Sequence, residues 1–269
     1  MRLGLALAVL SIVLVAPAAR ADEDEPKIWQ QLFFPFPIVG APPQLEQQVQ
    51  VFDSYFRGNA GSGDVLSAEL AYIITGEIGI VATVPFQFGF DGQTTGFQDA
   101  QILLQGLAAG SLEHDWMLSV GLEGTVPIGH EDLGAGSAYG GMFAYVAKRF
   151  FHHLIFEANL TTLFPISNPD APRQVVGAGL VSILLTPRHF RFPIYAQVEA
   201  DATLDYAGAK DTSGTVFVAP EIFLGPFKTP ISDGTRIAAG VSFNVFGDDV
   251  HGQTYTLTAA FDIPNKYGY

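Results

Sequence analysis

Glu199 and Asp201 lie two residues apart in the alternating run IYAQVEADATLDY, residues 194–206. On a strand, side chains at i and i+2 share a face about 7 Å apart. That spacing suits the paired carboxylates of an acid/base hydrolase. The same spacing arises on any polar strand face, so by itself it does not indicate catalysis. The other chemistry-bearing residue types are sparser. The six histidines are His114, His130, His152, His153, His189 and His251, and none forms a His-x-x-x-His or His-Glu-x-x-His spacing. His152 and His153 are adjacent, so on a strand they would point to opposite faces. There is no cysteine, which excludes disulfides and thiolate metal sites. Ser119 and Ser182 lie mid-strand with no base beside them in sequence, and no Gly-x-Ser-x-Gly occurs. The triplet Asn159-Leu160-Thr161 matches a glycosylation sequon, but mid-strand it reads as two inward polar residues. The expectation is a protein that is not an enzyme and has no cofactor and no metal. A lipid-acting hydrolase with a cross-strand Ser–His pair is the enzymatic alternative.

The carboxylates matter more as a set. Glu69, Glu77, Asp99, Glu123, Glu157, Glu199, Asp201, Asp205, Glu221 and Asp262 all fall on the polar phase of alternating segments, as does Arg236. If that phase lines a tube, low-dielectric walls focus the field of the acids, which then concentrate cations and repel anions. The candidate lumen and selectivity residues are therefore Glu69, Asp99, Gln101, Glu123, Glu157, Asn159, Glu199, Asp201, Glu221 and Arg236. The competing reading has these acids hydrogen-bonded to inward Thr, Ser, Gln, Tyr and Arg, so that they fill a narrow barrel. A constricted, partly filled lumen is expected.

The elements that must carry these residues are strands. In DWMLSVGLEGTVPIG, residues 115–129, Trp116, Leu118, Val120, Leu122, Val126 and Ile128 alternate with Met117, Ser119, Glu123 and Thr125. VLSAELAYII, EIGIVATVPFQFGF, HLIFEANLTTLF and YTLTAAFDI alternate in the same way. AYGGMFAYVAKRF, QVVGAGLVSILL and RIAAGVSFNVF instead carry apolar or small residues on both phases. Pro220, inside TVFVAPEIFLG, should sit at a bulge or interrupt one ladder bond. Counting these segments gives about twelve strands. Many are longer than the 5–6 residues usual in soluble sheets and match the 9–11 that cross a bilayer at a tilt. Short turns such as Thr75-Gly76 alternate with longer polar loops such as DGQTTG, GHEDLGAGS and SNPDAPR. The segment GPFKTPISDG is long where a short turn is expected.

Composition agrees with a membrane setting. Hydrophobic residues make up 48% and charged residues 15%, below the quarter or so usual in soluble domains. Arg2, the apolar run Leu3–Ala16 and the small-x-small step Ala19-Arg20-Ala21 read as a cleaved secretory signal peptide over residues 1–21. Removing it takes away two arginines and no acids, so the mature chain is more negative than the −14 of the whole. That disfavours nucleic acid as a partner. No later stretch has the length and apolarity of a membrane helix, so any crossing must be by a closed barrel. Residues 22–46, rich in acids, aromatics and prolines, are expected to form an irregular N-terminal segment docked on the barrel, a candidate plug. Residues 47–269 are expected to form the barrel itself. The fold expectation is thus all-β, a closed antiparallel transmembrane barrel with its apolar face toward lipid. A soluble sandwich explains the alternation but not the strand lengths or the aromatics at strand ends (Tyr72, Phe86, Phe88, Trp116, Phe164, Tyr206, Tyr255).

Two stretches, TVPFQFGFDGQTTGFQDAQILLQGL (residues 83–107) and LEGTVPIGHEDLGAG (residues 122–136), resemble the outer-membrane transporters of the phenol-degradation MetA-pathway type. Pro85, Gly96, Phe97 and Asp99 match an apolar-Pro step followed by a Gly-aromatic-Gly-Asp strand start, with Gln98 in place of the second glycine. Pro127 and Gly129 match a Pro-Thr-Gly loop, with Ile128 in place of threonine, and Leu133, Gly134 and Gly136 match its glycine-rich sequel. Tyr269 resembles the aromatic last residue of barrel proteins. The resemblance implies export to the outer membrane of a Gram-negative bacterium and passive passage of small, often hydrophobic, compounds. It supplies no catalytic residues. A protein of this kind has outer-membrane lipid, the barrel-assembly machinery and a small-molecule solute as its partners. A structural or adhesive barrel with a sealed lumen is the remaining alternative.

Overall fold

The computed structural model describes residues 47–263 apart from 59–60, 76, 131, 135–136, 152, 169, 188–191, 207–212, 233 and 248–251. The leader, the segment 22–46 and Tyr269 therefore lie outside the described residues. The strands run β1 (Gln48–Gly58), β2 (Gly61–Thr75), β3 (Ile78–Phe90), β4 (Gly96–Phe97), β5 (Ala100–Ser111), β6 (Trp116–Val126) and β7 (Tyr139–Phe150). They continue as β8 (Leu154–Pro165), β9 (Arg173–Leu184), β10 (Ile194–Tyr206), β11 (Ser213–Phe227), β12 (Thr235–Phe246) and β13 (Gln253–Asp262). Every pairing is antiparallel between chain neighbours, and β1 also pairs with β13, which closes the ring. The two-residue β4 pairs with the upper part of β3, separated from β5 by Gln98 and Asp99, so it extends β5 across a short break. The result is a closed barrel of twelve full strands, each 10–15 residues long.

The period-2 pattern decides which face is which. On β6, Met117 and Ser119 are buried inside while Val120 and Leu122 are exposed outside. On β10, Tyr195, Gln197, Glu199 and Asp201 are buried while Val198 and Leu204 are exposed. Leu104, Leu122, Phe156, Leu160, Val181, Ile222 and Leu257 lie in an apolar outer band that water would not tolerate on a soluble monomer. Aromatic contacts occur on the outer face toward both rims. Phe86 packs edge-on with Phe88 and Phe97, both at 4.9 Å, and Tyr55 faces Tyr255, toward one rim. Phe192 packs against Phe227 at the other. Apolar band and flanking girdles together are the outer surface of a transmembrane barrel. Asp53 also faces outward, one step from the Tyr55–Tyr255 pair.

Local chemistry explains the turns. Asp91 (φ 52°) and Gly92 (φ 89°) both occupy the left-handed region, and Phe90 O accepts the N–H of Gln93 at 2.9 Å. This is the tight reversal that Asp-Gly favours. Pro220 faces outward in register with Val198; the β11–β12 ladder skips Ala219 and Pro220, and the register is the same on either side. The register shifts of that ladder fall elsewhere, at Val216/Phe217 and Leu224/Phe227, so Pro220 interrupts pairing without a bulge. The connection 228–234 lies at the same rim as the short β2–β3 and β7–β8 turns and the nine-residue connection 185–193. Its length is used to fold onto the last strand, with Ser232 Oγ donating to Asp262 O and Thr229 Oγ1 to Ser232 O.

Arg236 holds that rim where the ring closes. Its Nη1 donates to Asp262 Oδ1 at 2.8 Å and to Gln48 Oε1 at 3.0 Å, tying β12, β13 and β1 together. Both partners are largely buried, so removing one leaves a charge in a dry setting, which typically costs about 3–5 kcal/mol. Arg236→Ala is therefore expected to lower the temperature at which the folded band converts to the unfolded band in a gel-shift assay. The two faces can be tested directly. Leu122→Arg, on the outer band, should destabilise the folded protein in lipid vesicles by about 2–4 kcal/mol. Its neighbour Glu123→Gln should leave a denaturant titration nearly unchanged.

Candidate functional site

The lumen is lined by the inward phase of all twelve strands. Most of the acids are concentrated on one side of it. Glu157 on β8 and Glu199 on β10 are both opposite Leu180 of the intervening β9, which places them in one row. Asp201 follows Glu199 along β10 on the same inward face. Glu221 of β11 accepts the Nε2 of Gln197 at 3.2 Å. The hydroxyl of Tyr145, on β7, donates to Glu157 Oε2. Facing this group from β2, Glu69 accepts the hydroxyl of Thr83 at 3.0 Å. Glu69, Glu157, Glu199, Asp201 and Glu221 are all buried, with Glu199 wholly inaccessible.

The remaining sequence candidates are placed differently. Glu123 faces the lumen half-buried, opposite Leu103 and Gly141, nearer the long-loop rim. Gln101 is on the same side, exposed, between Thr83 and Thr125. Asn159 faces inward, but its Oδ1 accepts the N–H of Ala178 at 3.1 Å and so is committed to the barrel wall. Asp99 lies in the break between β4 and β5 rather than on a strand. Its Oδ1 accepts the N–H of Gly129 at 3.2 Å, and a Cβ on Gly134 would lie 2.6 Å from it. It therefore ties the loop that follows β6 to the wall. Arg236 does not join the acids and belongs to the rim network with Asp262 and Gln48.

The lumen also holds residues beyond the candidate set. Gln48, Gln50, Gln105 and Gln197 are buried on the inward phase and complete the polar layer. Val81, Leu103, Met117, Phe143, Ile155 and Phe223 are also inward and buried, where a polar phase was expected. Phe143 lies in a segment that carries apolar or small residues on both phases, whereas Val81, Met117 and Ile155 lie in segments that alternate cleanly. Gly121 makes room for Phe143: a Cβ there would lie 2.6 Å from the Phe143 ring.

Some acceptors are left over. Glu69 Oε1, Glu157 Oε1 and Asp201 Oδ2 have no hydrogen-bond partner among the described residues, and neither has the hydroxyl of Ser182. A buried acceptor without a donor is costly, so this layer is electrostatically primed for a donor that enters from outside. Ser119 and Ser182 are buried in the lumen rather than set on the outer face where a lipid-acting nucleophile would be needed. Among the described residues no three His, Asp or Glu side chains converge as metal ligands.

The comparisons with known proteins concern the fold. The barrel superposes on the NanC porin with a TM-score of 0.59 at 9% identity, covering 80% of this chain and 100% of that one. It superposes on the outer membrane channel of Pseudomonas putida F1 with a TM-score of 0.58 at 11% identity, covering 90% of this chain and 100% of that one. No protein-family model matches the sequence, and no curated protein matches it. The class the fold defines is thus that of twelve-stranded outer-membrane barrels, and the likeness to the MetA-pathway type rests on the short glycine-based steps alone.

Removing the Tyr145 hydroxyl tests the layer. Tyr145→Phe takes the donor from a fully buried carboxylate oxygen and should cost about 1–3 kcal/mol of folding stability. Equilibrium unfolding in detergent micelles would show it as a lower denaturant midpoint.

Proposed function

We propose that this protein is an outer-membrane channel of a Gram-negative bacterium for passive passage of small solutes, with an acidic lumen as its selectivity element. The observation that carries the reading is the set of lumen-facing carboxylates with acceptor oxygens unfilled among the described residues, enclosed by a barrel whose outer face is apolar. Glu123 stands nearer the half-open end of the lumen, and Glu157, Glu199, Asp201 and Glu221 stand deeper. Cations are drawn in and anions repelled, because the low-dielectric wall concentrates the field of these groups. The same acceptors suit an uncharged solute that donates hydrogen bonds, such as a hydroxylated aromatic compound. This agrees with the likeness to the MetA-pathway transporters. The ring of such a solute would meet apolar lumen side chains while its hydroxyl meets the carboxylates. Outer-membrane lipid and the barrel-assembly machinery are the partners this reading implies.

The test is the reversal potential across planar lipid bilayers under a potassium chloride gradient. The full chain should prefer cations. Glu123→Gln combined with Glu199→Gln should lower the cation-to-anion permeability ratio by about a factor of two or more. An unchanged reversal potential would remove the acids as the selectivity element.

A further inference from the structure

We propose that passage through this barrel is limited by an apolar layer in its short-turn half, which excludes water and is separate from the acids that choose the charge of the solute. This inference rests on the channel reading. It starts from the order of lumen-facing residues along individual strands. On β10, from the long-loop rim toward the short-turn rim, the sequence is Asp205, Thr203, Asp201, Glu199, Gln197 and then Tyr195. On β8 it is Leu163, Thr161, Asn159, Glu157 and then Ile155, and on β6 it is Thr125, Glu123, Gly121, Ser119 and then Met117. On β11 Glu221 is followed by Phe223, and on β2 Glu69 is followed by Ala71 and Ile73. On these five strands, read in both chain directions, the acids thus give way to apolar side chains toward the same rim.

The apolar members meet one another. Ile73, Met117, Ile155, Tyr195 and Phe223 belong to one packed cluster with residues of the neighbouring strands, and Tyr195 contacts Phe223 edge-on at 5.9 Å. Met117 is wholly inaccessible, and Ile155 and Phe223 are 2% and 1% exposed, although each points into the lumen. The sector made by β12, β13 and β1 has no large apolar side chain at this rim and is filled by the Arg236–Asp262–Gln48 network instead. A water molecule needs two to four polar partners to stay in such a space, and an apolar constriction lets ions through only when it transiently wets. Above the layer the lumen is half-open at Glu123 and Gln101, with Leu103 opposite Glu123, so a solute reaches these residues before it meets Met117, Ile155, Tyr195 and Phe223 at the rim.

The experiment compares single-channel conductance of the full chain with that of Phe223→Ala and Met117→Gln in planar bilayers, after each variant shows the folded band in a gel-shift assay. Phe223→Ala opens space. Met117→Gln keeps nearly the same bulk but offers polar atoms to water, and it carries the test if the alanine variant does not fold. Both should raise conductance by about threefold or more. Both should leave the reversal potential unchanged, because Glu123 and Glu199 are intact. Unchanged conductance in both variants would overturn the proposal while leaving the channel reading in place. An increase confined to Phe223→Ala would mean that bulk alone limits passage and would overturn the exclusion of water. No current from any variant would sink both this inference and the channel reading.

Discussion

The structure depends on the pairing of backbone N–H and C=O groups where no water can pair them. A strand surrounded by hydrocarbon has no solvent to satisfy its edges, and an open sheet has two such edges. Joining β1 to β13 removes both, and it makes every other feature of the barrel conditional on that seam. The seam carries ten consecutive residue pairs and is fastened at the short-turn rim by Arg236, which reaches Asp262 and Gln48 from the adjacent strand. The long connection 228–234 also folds onto the end of β13, so its length serves closure rather than a binding surface.

Closure creates two surfaces with different demands. The outer one must be largely apolar across its middle and aromatic near its edges, and its residues can be chosen with little regard for one another. The inner one is enclosed by only twelve strands, so its side chains compete for volume and must meet each other's hydrogen-bonding needs. The polar layer meets most of them: Tyr145 serves Glu157, Thr83 serves Glu69, and Gln197 serves Glu221. The oxygens left without donors are the part of the lumen in which folding and function pull apart. A sealed polar plug would pair them all, whereas a passage for a donor-bearing solute gains from leaving some open.

The proposed reading separates two tasks along the lumen. In that reading charge is selected near Glu123, where the lumen is half-open. In the same reading resistance to flow is concentrated at the apolar cluster of the short-turn rim. Because the two sets occupy successive inward positions on the same strands, each can vary without shifting the register of the other.

Much of this was legible in the residues alone. The inward and outward phases of β2, β3, β6, β8, β10 and β13 follow from a period of two, because any residue on a strand must point to one face or the other. The β class, the approximate strand number and the inward position of Glu69, Glu123, Glu157, Glu199, Asp201 and Glu221 rest on that local rule. The phases of β7, β9 and β12 were obscure because parts of their inner faces are small or apolar, and alternation cannot be read where both environments exclude charge. Asp99 was assigned to the lumen on phase alone, but the break before β5 turns it toward Gly129 and Gly134, a contact set by a loop that follows the next strand. Arg236 lies on the inward phase that alternation gives it, but its partners, Asp262 and Gln48, lie 26 and 188 residues away and cannot be read from spacing. Periodicity thus determined the face each side chain occupies. Only ring closure, which sets how far each strand is displaced along its neighbour, decided the height at which those side chains meet and hence which of them act together.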